Sequence, residues 1–478
     1  TEQYGDDELV IHTTDRPEPL VHFAKEQTVV VANNLDVAKT MLDVWTGKRP
    51  TATRLASDDD KEEDAPAEMA FEPLSLNQEF AAAMRRSKGT KEDPAQLTAF
   101  IDPISLFRVS TRGNFSAQAG LALLPVLGLD GLKGIGGSVT FATEDFDSIT
   151  HVHVSLEEPR TGVLEMVALR PGDSTPENWA PADAASYTTV HWDAQTTYNV
   201  LGELYDSLRG EGRLAADVQA RISEPLGVDF QEEMLGAFAG RVTYITWYER
   251  PARVGSEAAL LAVKLNDTKK FSKTLDKLTE KYSDNLEKKS YGGVAYWQLK
   301  RGELAEVPPE GAVDVDDRDR RRQERRREQQ VMFRQLRPSP CVAILDDYLI
   351  VCDRTSLFEK VVVTKSDASL SLANELDFKL IAGKIKRQAG GDEPSLLSFS
   401  RPEEGFKVLY EMATGDDTRK RLADAAEGNE FFGALDGALK RNELPPFAVI
   451  AQYLAPGGGM VTSDETGIHY TGFVLRRK

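Results

Sequence analysis

The sequence predicts an α+β protein: two pseudo-repeats of antiparallel sheets with packed helices, the first repeat truncated at its N-terminus. Three observations carry this. The same order of short motifs occurs twice, about 300 residues apart, a period that fits a duplicated domain and not a solenoid. The strand-like runs are short and joined by tight turns, and the helical stripes fall in separate segments, against a doubly wound parallel sheet. The second copy also carries about 115 residues ahead of the point where the first begins. The expected division is 1–171, the rear half of a first repeat, and 172–478, a complete second repeat.

In chain order, Tyr4-Gly5 opens the strand-like run Glu8 to Thr13, followed by strands at Leu20 to Phe23 and Thr28 to Asn33. Asn33 or Asn34 caps a helix carrying Leu35, Ala38, Leu42 and Trp45, and Gly47 ends it. Residues 49–73 form an acidic, low-complexity insertion. A helix at 75–87 and a strand at 97–102 come next. Helical stretches follow at 104–109 and 117–127, then a glycine-rich turn at 132–137. The strands at 138–143 and 148–156 make a hairpin. The second repeat opens with a loop at Trp179 and a strand at 186–192. Its helix at 196–208 has the stripe Tyr198, Leu201, Leu204, Tyr205 and Leu208. Helices near 214–223 and 229–239, strands at 242–248 and 258–265, and a helix capped by Asp267 complete its front. From Tyr291-Gly292 onward the order of the first copy returns. A charged helical insertion at 302–340 interrupts it.

The chain has 478 residues, is 41% hydrophobic and 28% charged, and has a net charge of −19. Such acidity repels nucleic-acid phosphates and anionic lipid, so neither is an expected partner. No apolar run is long enough to span a membrane. A strand-rich front half of the first repeat is expected ahead of Thr1, either as processed chain or as a retained N-terminal fragment.

Few residues suggest chemistry. His151-Val-His153 puts two imidazoles on one face of a strand, with Glu144, Asp145 and Asp147 at the turn. Such a pair binds zinc if a third ligand converges, and it equally fits two histidines on an open sheet face. Cys341 and Cys352 stand opposite each other when residues are counted outward from Asp346-Asp347. That register fits a disulfide, or two buried free thiols. Arg320, Arg321, Arg322, Arg325, Arg326 and Arg327 form the one basic run. Residues 316–337 hold nine arginines against five acids, a net +4, and read as a solvated helix able to contact a partner or the acidic loop. Gly128, Gly131, Gly134, Gly136 and Gly137 precede a strand and lack a Lys-Ser/Thr, so they do not make a phosphate loop. His191-Trp192-Asp193 has no nucleophile motif beside it. Glu157-Glu158 and Glu232-Glu233 read as surface acids, and the tryptophans as packing. No catalytic residue and no cofactor is assigned.

Several motifs together resemble a family of large exported proteins of unknown function from planctomycete-type bacteria. They are Trp179-Ala-Pro-Ala-Asp-Ala-Ala-Ser-Tyr187 with His191-Trp-Asp193, Pro225-Leu-Gly-Val-Asp229 with Gly240-Arg241, and Leu444-Pro-Pro-Phe447 with Pro456-Gly-Gly-Gly459. The resemblance implies a signal segment upstream and an extracytoplasmic site in the periplasm or cell envelope. It implies no catalytic residues. The expectation is therefore a non-enzymatic exported binding or structural protein. The alternatives are a metal-dependent hydrolase using His151 and His153, or an assembly subunit that docks through the helix at 316–337.

Overall fold

The computed structural model describes residues 1–13, 19–26, 28–47, 74–87, 94–111, 114, 120–252, 255–300, 339–388, 393–415, 430–441 and 444–476. The acidic insertion at 49–73 and the stretch 316–337, expected as a helix and carrying Arg320, Arg321, Arg322, Arg325, Arg326 and Arg327, lie outside the described residues. The chain divides into two compact units, Thr1–Ala81 and Ala82–Lys478.

The first unit is a four-stranded antiparallel sheet in the order β1 (Glu2–Tyr4), β2 (Asp7–His12), β3 (Leu20–Lys25) and β4 (Thr28–Ala32). Gly5 takes φ 62°, which lets the first hairpin turn where a β-carbon would be strained. Helix α1 (Leu35–Trp45) starts where the Asn34 side chain accepts the Asp36 N–H. Its Ala38 and Leu42 close a small core of Leu9, Val21, Phe23 and Ala32. Burying such side chains is worth about 1.5–3 kcal/mol each for Leu, Val and Phe, so this unit has a thin margin.

In the second unit all thirteen strands lie in one sheet. The front of the expected second repeat supplies β8 (Ser186–His191), β9 (Phe238–Tyr248) and β10 (Glu257–Leu265). The hairpins β11 (Leu286–Tyr291)–β12 (Val294–Leu299) and β13 (Cys341–Leu345)–β14 (Tyr348–Cys352) follow. β5 (Leu97–Ile101), β6 (Leu132–Phe141) and β7 (Phe146–Leu156) come from the first half, and β15 (Leu396–Ser400), β16 (Gly457–Asp464) and β17 (Gly467–Leu475) from the end of the chain. The order is 11-12-13-14-10-9-8-15-16-17-7-6-5. Both halves of the chain thus meet where β17 pairs with β7, inside one unit. The expected boundary at 171 does not separate compact bodies, because this strand pair crosses it.

Helices pack on both faces of the large sheet. α2 (Gln78–Ser87) follows the first unit's sheet in the chain. α3 (Pro103–Ser110), α4 (Ala194–Arg209), α5 (Thr268–Lys281), α6 (Thr355–Ser366), α7 (Leu376–Gln388) and α8 (Pro402–Thr414) come after it. α6 buries Leu357, Phe358, Val361 and Val362, and α7 buries Phe378, Ile381 and Ile385, against Leu397, Phe399, Met460 and Phe473. α5 starts at an Asp267 side chain that accepts the Lys270 N–H, as expected. In α4 the expected stripe is only partly inward: Leu201 and Leu208 are exposed and Val200 is the buried residue. A helix pinned at its ends by other segments turns to the face that packs, which the stripe alone does not determine.

The segment 132–137 is a strand, not the expected turn. Its Gly134 and Gly136 are there because Phe100 of β5 and helix α2 press on the strand. A β-carbon on Gly136 would lie 2.6 Å from the Ala83 β-carbon of α2. Gly458 of β16 is held bare in the same way beneath Ile381 of α7. Cys341 and Cys352 do face each other, but as free thiols, both buried. Burial, and then the facing Cys341, pushes the Cys352 thiol up, away from the reactive thiolate.

Candidate functional site

Besides the facing cysteines, the β17–β7 junction is where the described residues bring sequence-nominated side chains together. Alternation places His151 and His153 on the helix-covered face of β7, not on an open face; His153 is 1% exposed. His469 of β17 stands directly across from His153. The His469 ring lies 5.6 Å from that of His151 and 5.9 Å from that of His153. Thr471, opposite His151, joins two of the rings through its hydroxyl, 3.2 Å from His151 Nδ1 and 3.2 Å from His469 Nε2. Neither ring nitrogen of His153 makes a hydrogen bond of good geometry.

A cleft of about 730 Å³ opens beside these rings. Arg85 and Arg86 of α2, Gln388 of α7, Thr462, Ser463 and Asp464 of β16, and Glu393 line it with His151 and His469. Arg86 pairs with Asp464, so one half's helix holds the other half's turn. The reverse contact is made by Lys384 of α7 with Asp145. Two further arginines repeat the exchange. Arg160, past the end of β7, donates to Ser463 Oγ at 2.9 Å and to the Asp464 carbonyl at 2.6 Å. Arg476, past the end of β17, donates to the Thr143 carbonyl at 2.8 Å.

Burial lowers the pKa of all three histidines. For His151 it is the cause that acts. For His153 Arg86 adds to it, against the pull of Asp464 and the Thr466 backbone. His469 falls furthest, to about 4, through burial first and then His151, His153 and Arg86, with Asp464 opposing. The rings are therefore neutral at pH 7. An unfolded histidine takes up its proton near pH 6.5, before these rings do, so acidification favours the unfolded state. Stability from the cluster is full above pH 6.5 and is lost as the pH falls from there towards 4. Melting temperatures at pH 7.5 and 5 should differ more in the wild type than in His469→Leu. An equal drop would show that the carboxylates alone set the slope.

The nominated metal pair thus gains a third histidine. Yet no group of three His, Cys, Asp or Glu side chains among the described residues is placed to hold a metal ion. Glu144, Asp145 and Asp147 do not converge on the pair; Asp145 is engaged by Lys384. No local pattern in the sequence marks His469, because it is the antiparallel pairing of β7 with β17 that sets it against His153, far away in the chain.

The other polar cluster went unseen in the sequence. Arg241 of β9 and Glu177 are both buried, with Nε 3.1 Å from Oε1. Arg241 also donates to Thr189 Oγ1 at 3.1 Å and to the Tyr187 hydroxyl at 3.0 Å. Glu177 accepts from Tyr187 and Thr243. Burial, and then Glu177, pushes the Tyr187 phenol well up. What this buried network fixes is the Trp179 loop. Arg401 holds the same loop from the other side through the Ala182 and Ala184 carbonyls, with Asp377 on its other edge. His191 and Asp193 are likewise structural: His191 Nε2 lies 2.9 Å from the Asp173 carbonyl oxygen, and Asp193 caps α4.

Among the described residues no helix is long and apolar enough to cross a membrane. No protein-family model matches the chain, and neither a curated protein nor a solved structure matches it.

Proposed function

We propose that this chain is a non-enzymatic binding or structural protein of the cell envelope, built by duplication, with the β17–β7 junction as its internal clasp. The observation that carries this reading is how the junction's charges are used. Arg86, Asp464, Lys384, Asp145, Arg160 and Arg476 are engaged with each other's halves in a reciprocal exchange. Such an exchange is the mark of a two-fold interface. A catalytic site needs acid and base groups poised near the working pH. Here His153 is buried and His151 and His469 are half-buried, and burial lowers the pKa of all three.

The duplication is supported by register. One shift in numbering carries Ile149 to His469 and His153 to Phe473. The observed facing pairs are Ile149 with Phe473 and His153 with His469, as a two-fold through Thr471 and His151 requires. The order 5-6-7-17-16-15 reads the same from either end when β5, β6 and β7 are matched to β15, β16 and β17 in chain order. In the first unit, another shift carries the pair Tyr4–Asp7 onto Tyr291–Val294. The extracytoplasmic site rests on the family resemblance, and fractionation of the source cells tests it: recovery in the cytoplasm would remove it.

The competing reading is a metal-dependent hydrolase, favoured by three histidines beside one cleft. Metal analysis separates the two. We expect no stoichiometric zinc in the purified protein and no change in melting temperature on chelation. Zinc at one equivalent, lost in His153→Ala, would sink the non-enzymatic reading. The assembly role of the helix at 316–337 is tested by deleting it; an unchanged mass by light scattering would reject that role.

A further inference from the structure

The first unit, taken by itself, carries a further histidine pair. His12 ends β2 and His22 sits within β3. Their rings meet at the surface: His12 Nε2 lies 3.1 Å from His22 Nδ1, with ring centroids 5.0 Å apart and planes 14° from parallel. Leu9, Val21 and Phe23 face the core, so alternation puts both imidazoles on the opposite face of the small sheet. Leu20 stands across from His12, and Val10 and Val31 flank His22. These apolar neighbours offer no side-chain donor or acceptor.

The β11–β14 hairpins show that the fold does not ask for these rings. The shift that carries Tyr4–Asp7 onto Tyr291–Val294 carries His12 onto Leu299. The facing pair Val10–His22 corresponds in the same way to Trp297–Val342. Apolar side chains thus hold both places there, and Val342 packs in the cluster that Phe271 and Leu275 of α5 complete. The two positions differ together, and both differ towards the commonest metal-binding side chain. The chain has six histidines, and two of them meet at this one point.

We propose that His12 and His22 form a two-imidazole site for Cu²⁺, clamping β2 to β3, with water in the remaining positions. Bonds of the usual metal–imidazole length, about 2.0–2.1 Å, to nitrogens 3.1 Å apart subtend about 95–102°. That angle lies between the square and tetrahedral values, so the strands need not move. The ring that donates the shared hydrogen bond carries its proton on the other nitrogen instead, and both lone pairs then face the ion. Cu²⁺ binds such nitrogen donors more strongly than the other first-row divalent ions, and two nitrogens with waters complete its tetragonal arrangement. Mg²⁺ and Ca²⁺ require oxygen ligands and do not fit. Among the described residues no third His, Cys, Asp or Glu joins the pair. An ion held by two side chains exchanges with the solution, so the site loads from a supply and is not filled in protein purified without copper. It shares no residue with the β17–β7 junction, and it does not depend on the junction being a clasp.

The test titrates Cu²⁺ into the tag-free protein at pH 7.5, followed by calorimetry and by electron paramagnetic resonance. The wild type should bind one equivalent with a spectrum of two equatorial nitrogens. His12→Gln and His22→Gln should each weaken that binding at least about tenfold, whereas His153→Ala should keep it. Circular dichroism checks that both variants fold, as the apolar residues at Leu299 and Val342 lead us to expect. Lowering the pH to 5 protonates the imidazoles and should release the ion. No saturable binding by the wild type, binding that survives in either glutamine variant, or a spectrum of oxygen ligands alone would each overturn the proposal. An equivalent lost in His153→Ala instead would overturn it too, and would place the metal at the junction.

Discussion

Arg241→Met is expected to lower the stability of the second unit by about 3–5 kcal/mol, because it strands Glu177 as a buried unpaired charge. Glu177 is 8% and Arg241 6% exposed, so water does not replace the lost partner. Tyr187 and Thr189 also lose the donor that Arg241 supplies. Glu177→Gln in the Arg241→Met background removes the charge and should recover much of the loss. Such a rescue identifies desolvation, and not simple loss of packing, as the cause. The readout is urea unfolding followed by tryptophan fluorescence, in which Trp179 reports on the loop that the network fixes. The chain divides into two compact units, so the transition compared is the one that Trp179 of the second unit reports. A loss below about 1 kcal/mol would mean that the pair is effectively solvated.

The value of this network lies in what it holds. The Trp179 loop packs into the core that α6 and α7 cover and ends in Tyr187 near the start of β8, where that strand enters the sheet. Arg241 and Arg401 grip it from two sides. The motif Trp-Ala-Pro-Ala-Asp-Ala-Ala is therefore a docking strap between elements. The small residues Ala180, Ala184 and Ala185 are buried, as a strap pressed onto a sheet requires.

Local features were legible in the sequence. The turn at Asp346-Asp347 fixed the facing of Cys341 and Cys352, and side-chain caps at Asn34 and Asp267 marked helix starts. These depend on neighbours within a few residues. What was not legible depended on distant partners. Gly134 and Gly136 looked like a turn because glycine is a turn former, whereas Phe100 and Ala83, far away in the chain, are what exclude a side chain there. The histidine cluster needed the antiparallel meeting of β7 with β17, which no local pattern encodes. Glu177 and Arg241 looked like any two charged residues until β8 and β9 were paired. The uncovered stretches of the sheet, where Tyr244, Leu261, Val351 and Tyr470 are exposed, could not be told from covered ones by alternation alone.

Gly467→Ala is the substitution expected to damage the junction itself. Gly467 opens β17 at φ 137°, a conformation that L residues rarely adopt, and its added β-carbon would collide with the Val154 carbonyl oxygen of β7. The backbone strain costs about 1–3 kcal/mol. The collision adds about as much again, since the obstacle is backbone and cannot rotate away. Relief requires β17 to lift from β7, the strand pair through which the two halves share a sheet. Arg160 would lose the Gly467 carbonyl and the adjacent Asp464 turn together. Gly210→Ala supplies the control. Gly210 also has positive φ, but nothing lies within 4 Å of the place its added methyl would occupy, so strain acts there without collision. The expected order of melting temperatures is wild type, Gly210→Ala, then Gly467→Ala. Hydrogen exchange should speed in 146–156 and 467–475 for the last variant alone. Equal losses in the two variants would show that strain, and not the close approach of β17 to β7, is what glycine serves at the junction.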